Sequence, residues 1–185
     1  MFELEAFVEE CKSAVRDADG RDHIKELVER AVSDQASLLA AIGEPSEAGV
    51  NTLYQADDLT ILNLVWGPQM NLYPHNHEMW AVIGIYGGTE DNTFYRRADG
   101  PLTRYGTKRL ESKDTVALGE SIIHSVYNPR NQLTGALHVY GGDFFETPRS
   151  EWDEDGTIEQ PYSVEGVKQA FAESNALWRD LQAQA

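Results

Sequence analysis

The sequence predicts a mainly β protein, an antiparallel sandwich or barrel with helices at both ends, and three observations predict it. From about residue 52 to 145, short runs rich in Val, Ile, Leu and Tyr recur at spacings of roughly 8 to 15 residues, most of them separated by Gly, Asn, Asp or Pro. On either side of that stretch, apolar residues fall at helical spacing instead. A chain of 185 residues, 41% hydrophobic and 10% aromatic, suffices for one good core and leaves little for a second. We therefore expect one domain over 1–185, with a helical N-terminal extension over 1–45, a β-barrel over 50–147 and a C-terminal helix over 163–183.

Taken in order, Phe2, Leu4, Phe7, Val8, Cys11 and Val15, then Ile24, Leu27, Val28, Ala31 and Val32, then Leu38, Leu39 and Ile42 mark two or three amphipathic helices. The breaks fall around "DADGRD" and "SDQ", and "GEPSEAG" at 43–49 ends the section as a loop. The apolar stripes are wide and continuous, so these helices should cover one sheet of the barrel rather than close a pocket. The strand candidates are "NTLYQ", "LTILNLVW", "WAVIGIYG", "NTFYRR", "LTRYGTKRL", "DTVAL", "SIIHSVYN" and "LTGALHVYGG". "PRSEWDEDGTIEQPYS" at 148–163 reads as an acidic surface loop. A final amphipathic helix follows over 164–182, carried by Val164, Val167, Phe171, Leu177, Trp178 and Leu181, with Ser163 as N-cap.

The charge narrows the partners. Fifteen basic against 31 acidic residues give a net charge of -16, which repels nucleic acid and anionic membrane surfaces alike. A small-molecule partner is expected, and if it is anionic, a few local cations must overcome the global field. Cys11 has no second cysteine to pair with, and the start "MFELEAFVEECKSAV" has neither a basic leader nor an unbroken apolar core. No run approaches the roughly 18 apolar residues of a membrane span. These features point to a cytoplasmic protein, a monomer or weak homodimer.

The histidines carry the chemistry. His75 and His77 stand two apart in "YPHNHEMWAVIGIYGGTE"; in a strand, residues i and i+2 share a face, so both can point at one centre while Asn76 points away. Alone, such a pair is weak. Of the five histidines, however, only His23 lies in the helical N-terminus, where it reads as solvated; His124 and His138 lie in late strand candidates able to face His75 across a small barrel. Several imidazoles in an apolar interior need a common partner, and a metal is the simplest; imidazole suits iron, zinc, copper or nickel.

"PHNHEMWAVIG", followed some 35 residues later by "GESIIHSVYN", resembles the two motifs of the cupin superfamily, a fold known as a double-stranded β-helix or jelly-roll barrel. The second motif pairs a histidine with an asparagine four residues on, here His124 and Asn128. The departures are informative. The usual glutamate ligand is expected at 81 or 82, where this chain has Ala81 and Val82, and the proline and glycine that normally precede the second-motif histidine are missing. A three-histidine site with free coordination positions remains. With Trp80 after the histidines, "GGTE" closing the strand and "LHVYGG" downstream, residues 50–150 are similar to the cysteine dioxygenase type I family of thiol dioxygenases, above all to bacterial members such as 3-mercaptopropionate dioxygenases.

The resemblance implies one Fe(II) per chain held by His75, His77 and His124, with O2 as co-substrate and a small thiol oxidised to its sulfinate. It also implies that Tyr140, oriented by His138 on the same strand, donates a hydrogen bond to dioxygen in the metal cavity. The family's triad serine is replaced by Ala136, and Ala81 rules out the cysteine–tyrosine cross-link of some eukaryotic members. The arginine that holds free cysteine's carboxylate is matched by Ala56 or a neighbour, which favours a 3-mercaptopropionate-like acid. Arg149 then becomes the carboxylate anchor, with Arg97 and Trp80 completing the substrate-binding set; of Arg96 and Arg97, adjacent on a strand, only one can face inward. Two alternatives stay open: a metal cupin of another class, such as a lyase, isomerase or hydrolase using Zn, Mn or Ni, and a non-catalytic cupin that binds a small molecule.

Overall fold

The structure is a computed structural model, and it describes residues 1–184. Three helices come first, α1 (Leu4–Ala14), α2 (Gly20–Ser33) and α3 (Gln35–Ile42). Eleven strands follow: β1 (Gly49–Ala56), β2 (Leu59–Trp66), β3 (Asn71–Asn76), β4 (Ala81–Gly87), β5 (Thr89–Ala98), β6 (Gly100–Glu111), β7 (Thr115–Leu118), β8 (Ile123–Tyr127), β9 (Thr134–Tyr140), β10 (Ser150–Trp152) and β11 (Glu159–Pro161). Helix α4 (Val164–Ala183) closes the chain, capped as expected by Ser163, whose Oγ accepts from the Gly166 amide at 3.0 Å. No described helix is long and apolar enough to cross a membrane.

The strands form two antiparallel sheets, one in the order β1-β2-β9-β4-β7 and the other in the order β11-β10-β3-β8-β5-β6. Between them lies an inner core that includes Leu62, Leu64 and Trp66 of β2, Ala81, Ile83 and Ile85 of β4, and Val126 of β8. A second core lies outside the first sheet, where Ile61, Val82, Leu137 and Val139 pack on Ile24, Leu27, Val28 and Val32 of α2. β2 and β9 are buried along their whole length, which is why "LTILNLVW" reads as an unbroken apolar run rather than an alternating one. The approach of α2 is close: a Cβ on Gly84 would meet Val28 Cγ1 at 2.4 Å. The second sheet is instead open to water on its outer face, and β6 is exposed along nearly all its length.

One expectation about the elements fails. The segment 148–163 is not a plain surface loop; it folds into the hairpin β10–β11, and Trp152 is buried. The turn is closed by Asp153, whose carboxylate accepts from the Thr157 amide (2.6 Å), the Ile158 amide (3.0 Å) and the Thr157 hydroxyl (2.6 Å), while Gly156 takes φ 67°. Its acidic composition hid a turn built by one carboxylate.

Candidate metal centre

β3 and β8 pair so that His75 lies opposite His124, in the middle of the second sheet. His77 departs from the simple strand argument. The β3–β8 register breaks between Leu72 and His75, across Pro74, and β3 ends at Asn76, leaving His77 just beyond the strand before Glu78 at φ 56°. Asn76 fixes this bend, its Oδ1 accepting from the Ser150 amide at 2.7 Å. The two histidines still converge with His124: ring centroids lie 4.7 Å (His75–His124), 4.9 Å (His77–His124) and 5.3 Å (His75–His77) apart. One nitrogen from each ring lies within 4.8 Å of the others, and all three side chains are buried.

Hydrogen bonds decide which nitrogen His75 and His124 offer, while His77 Nδ1 is buried without a partner. His75 Nδ1 lies 2.9 Å from the Tyr73 carbonyl, which can only accept, so Nδ1 carries the proton and Nε2 is left with its lone pair. His124 Nδ1 lies 2.8 Å from Asn92 Oδ1. The Asn92 amide is itself oriented, because its Nδ2 donates to Glu90 Oε1 at 2.8 Å, while Glu90 Oε2 accepts from Trp66 Nε1 at 2.7 Å. His124 Nε2 is therefore also a free lone pair, and it faces His77 Nε2 at 3.2 Å. Two nitrogens at that separation subtend about 100° at an ion about 2.0–2.1 Å from each. Burial lowers the proton affinity of all three rings, bringing His75 to about 4 and the others well below their ordinary value. They are neutral at pH 7 and can ligate without first losing a proton. The residues present fit a metal ion bound by three neutral imidazoles. Ala81 faces the inner core and Val82 the helix side, and β4 (AVIGIYG) holds no acidic residue, so no carboxylate enters from that strand.

The opposite wall is β9. His138 and Tyr140 both face the cavity, with His138 Nδ1 2.9 Å from the Tyr140 hydroxyl and the Tyr140 ring edge-on to His77 at 5.2 Å. Burial pushes the Tyr140 phenol up and lowers His138 to about 3. His138 Nε2 has no hydrogen-bond partner, and Glu90 Oε2 lies 4.0 Å away. Glu90 and Asn92, the pair that ties this centre together, are residues the sequence reading missed. Spacing is all the sequence shows of them: they stand two apart in "GGTEDN", on one face of β5, and further along that face Phe94 is half-buried and Arg96 exposed. Asn128, the second half of the second motif, serves the loops instead, its amide donating to the carbonyls of Gly67 (2.8 Å) and Gln132 (2.9 Å).

Of the three residues assigned to substrate, one reaches the cavity. Arg149 stacks between Phe144 and Tyr162, its Cζ 3.7 and 4.0 Å from the ring centroids, with Nη1 buried and unpartnered. Arg97 does not reach it: it is exposed, paired with Glu159 (Nη2–Oε1 2.8 Å) and lies over Trp152. Arg96 turns outward as well, over Tyr105, so neither member of that pair faces in. Trp80 packs on the helix side of the first sheet, where a Cβ on Gly141 would come within 2.0 Å of its ring. His77, Met79, Ala81 and Ile83 face inward, so simple alternation already carries Trp80 to the opposite, helix side; being adjacent in sequence to the histidines does not make it their neighbour in space.

Two antiparallel sheets around one inner core, with helices at both ends, are consistent with a cupin-like double-stranded β-helix, and the three histidines give it a potential metal site. No family model matches the sequence. Similar solved structures include an RmlC-like cupin family protein with a double-stranded β-helix fold from Methanocaldococcus jannaschii, 12% identical over 56% of this chain and 87% of that one, with a TM-score of 0.46. A cupin 2 conserved barrel domain protein from Salinispora arenicola is 16% identical over 50% of this chain and 74% of its own, at a TM-score of 0.41. The oxalate decarboxylase OxdC of Bacillus subtilis is 14% identical over 56% of this chain and 28% of its own, at 0.44.

Proposed function

We propose that the protein is a mononuclear non-haem iron dioxygenase that converts a carboxylate-bearing thiol to its sulfinate, RSH + O2 → RSO2H. Sulfur loses four electrons and dioxygen gains four, so the reaction balances without an external reductant. The observation that carries this reading is the donor set: three neutral imidazole nitrogens with no carboxylate, facing His138 and Tyr140 across a chamber that also holds Arg149, whose Nη1 has no partner. Bound iron would supply the positive charge that favours thiolate over thiol, and the redox chemistry dioxygen requires.

The chain's own residues supply the rest. Arg149, held flat between two rings, presents a planar fork to a carboxylate and fixes the substrate's orientation. Tyr140 stays a phenol at neutral pH, a donor rather than an anion. Its hydroxyl lies 2.9 Å from His138 Nδ1, and in the tautomer that places a proton on that nitrogen the phenol hydrogen turns toward the chamber to meet developing negative charge. The surrounding aromatic and aliphatic side chains keep bulk water from these groups.

The test is oxygen uptake by the Fe(II)-loaded protein over cysteine, 3-mercaptopropionate, mercaptosuccinate and cysteamine. An acid without the α-amino group should be fastest, and Arg149→Ala should raise its apparent KM with kcat less affected. If no thiol accelerates uptake while His124→Ala loses metal, the site is real and the reaction class is wrong. Stoichiometric zinc in protein purified without added metal, with no iron taken up, points instead to a lyase, isomerase or hydrolase.

A further inference from the structure

The chamber beside the histidines is larger and more apolar than a six-heavy-atom acid needs. Its volume is about 330 Å³, the liquid share of about ten waters. The histidines and Arg149 take up one end. Lys168 apart, the rest is mostly apolar, with Leu64, Leu72 and Val126 from the sheets and Val164, Val167 and Phe171 from α4.

Two features indicate that this hydrocarbon wall is held in place for a ligand. The second half of α4 is tied down: Ser174 Oγ donates to the Pro68 carbonyl (2.8 Å), Asn175 exchanges bonds with the Ala48 backbone (2.7 and 2.8 Å), and Trp178 Nε1 donates to the Ser46 carbonyl (2.9 Å). The apolar side of its first half is thereby kept over the chamber, with Phe171 stacked on Trp66 at 6.2 Å. The second feature is charge. In a chain with 31 acidic residues, no carboxylate among the described residues lines the chamber, whereas Arg149 does, with Nη1 buried and without a partner; Lys168 stands at the rim, exposed and beside Glu165.

We infer that the ligand of this site is an amphiphilic acid: its carboxylate pairs with Arg149, and an apolar tail several carbons long lies under α4. The inference rests on the reading of the centre as one for carboxylate-bearing thiols and extends it from 3-mercaptopropionate to longer mercaptoalkanoates. Each methylene moved from water into the chamber raises affinity about fourfold, until the chamber is full.

Calorimetry on the purified protein with thiol-free straight-chain acids, from propionate to decanoate, tests the chamber without any chemistry. Affinity should climb by about three- to fourfold per carbon and then level off, and alkylamines of equal length should bind far more weakly. Arg149→Ala should lower affinity for every acid by a common factor. Val167→Trp should bring the levelling-off to shorter chains. Affinity independent of chain length, or amines binding as tightly as acids, overturns the inference. Oxygen uptake with 3-mercaptoalkanoates of matching lengths separates the two readings. A chain-length slope in binding with no uptake for any thiol leaves the amphiphile chamber and removes the dioxygenase; uptake with 3-mercaptopropionate and a flat slope does the reverse.

Discussion

The two walls of the cavity are built by different means. The wall carrying His138 and Tyr140 belongs to a sheet buried on both faces, and the residues between and beside them, Leu137 and Val139, are locked into the helix-side core. Apolar packing, together with the backbone ladders to β2 and β4, determines where that strand sits. The wall carrying His75 and His124 belongs to a sheet whose outer face is wet, and its imidazoles are oriented by hydrogen bonds: to the Tyr73 carbonyl, and through Asn92 and Glu90 to Trp66 on the opposite sheet. Packing sets position on the first wall, and hydrogen bonding selects the ligating nitrogen on the second. Damage to the first should therefore appear as lost stability, and damage to the second as lost metal affinity.

The largest effect should come from acid, which attacks the histidines of both walls. Burial lowers His138 to about 3 and His75 to about 4, and His77 and His124 shift the same way, whereas in the unfolded chain each binds a proton near pH 6.5. Because the folded values are depressed, the unfolded state binds more protons below pH 6.5. The stabilisation is complete above that pH and is lost as pH falls toward 4, at up to about 1.4 kcal/mol per group per pH unit. Metal-free protein should show a Tm that falls steeply across this window, and a level Tm would mean the rings are not buried neutral. Next in size is Leu137→Ala, which empties a fully buried position behind the first wall and should cost about 2–5 kcal/mol in denaturant unfolding. Metal bound per folded molecule should be unchanged. Asn92→Ala is the opposite case: it frees His124 to rotate and change tautomer, and should weaken metal binding by about 10–100-fold in a chelator competition. Equal damage to stability and affinity in both variants would erase the distinction between the walls.

The same distinction explains what could be read from the sequence. The first sheet was legible almost to the residue: "LTILNLVW" is β2, and "AVIGIYG" within "WAVIGIYG" is β4, because a strand buried on both faces leaves an uninterrupted apolar run. His75, His77 and His124 were legible as a set through their motif spacing. Glu90 and Asn92 were not, since a buried polar pair and a solvent-facing one look alike in one sequence; only the hydrogen bonds to Trp66 and His124 tell them apart. Hairpin β10–β11 was lost to its acidic composition. Trp80 and Arg97 were misplaced for other reasons: Trp80 stands at an even position while His77, Met79, Ala81 and Ile83 face inward, so alternation carries it to the helix side, and the register breaks in β5, between Phe94 and Tyr95 and between Arg96 and Ala98, disturb the alternation around Arg97.

Arg97 gives the smallest predicted effect and the sharpest control. Its sequence position made it a candidate for the substrate carboxylate, yet its guanidinium lies outside the cavity against Glu159 and the Trp152 ring, with about half of the side chain exposed. Solvent and salt screen such a pair, so Arg97→Ala should cost no more than about 1 kcal/mol. That loss should shrink further in high salt, because the partner it leaves behind, Glu159, is itself solvated. Metal content, the acid-binding slope and KM should all match the unsubstituted protein, while Arg149→Ala, the same deletion made inside the chamber, weakens every carboxylate. A KM rise in Arg97→Ala as large as in Arg149→Ala would place the β10–β11 hairpin in the substrate path and join the wet face of the second sheet to the site.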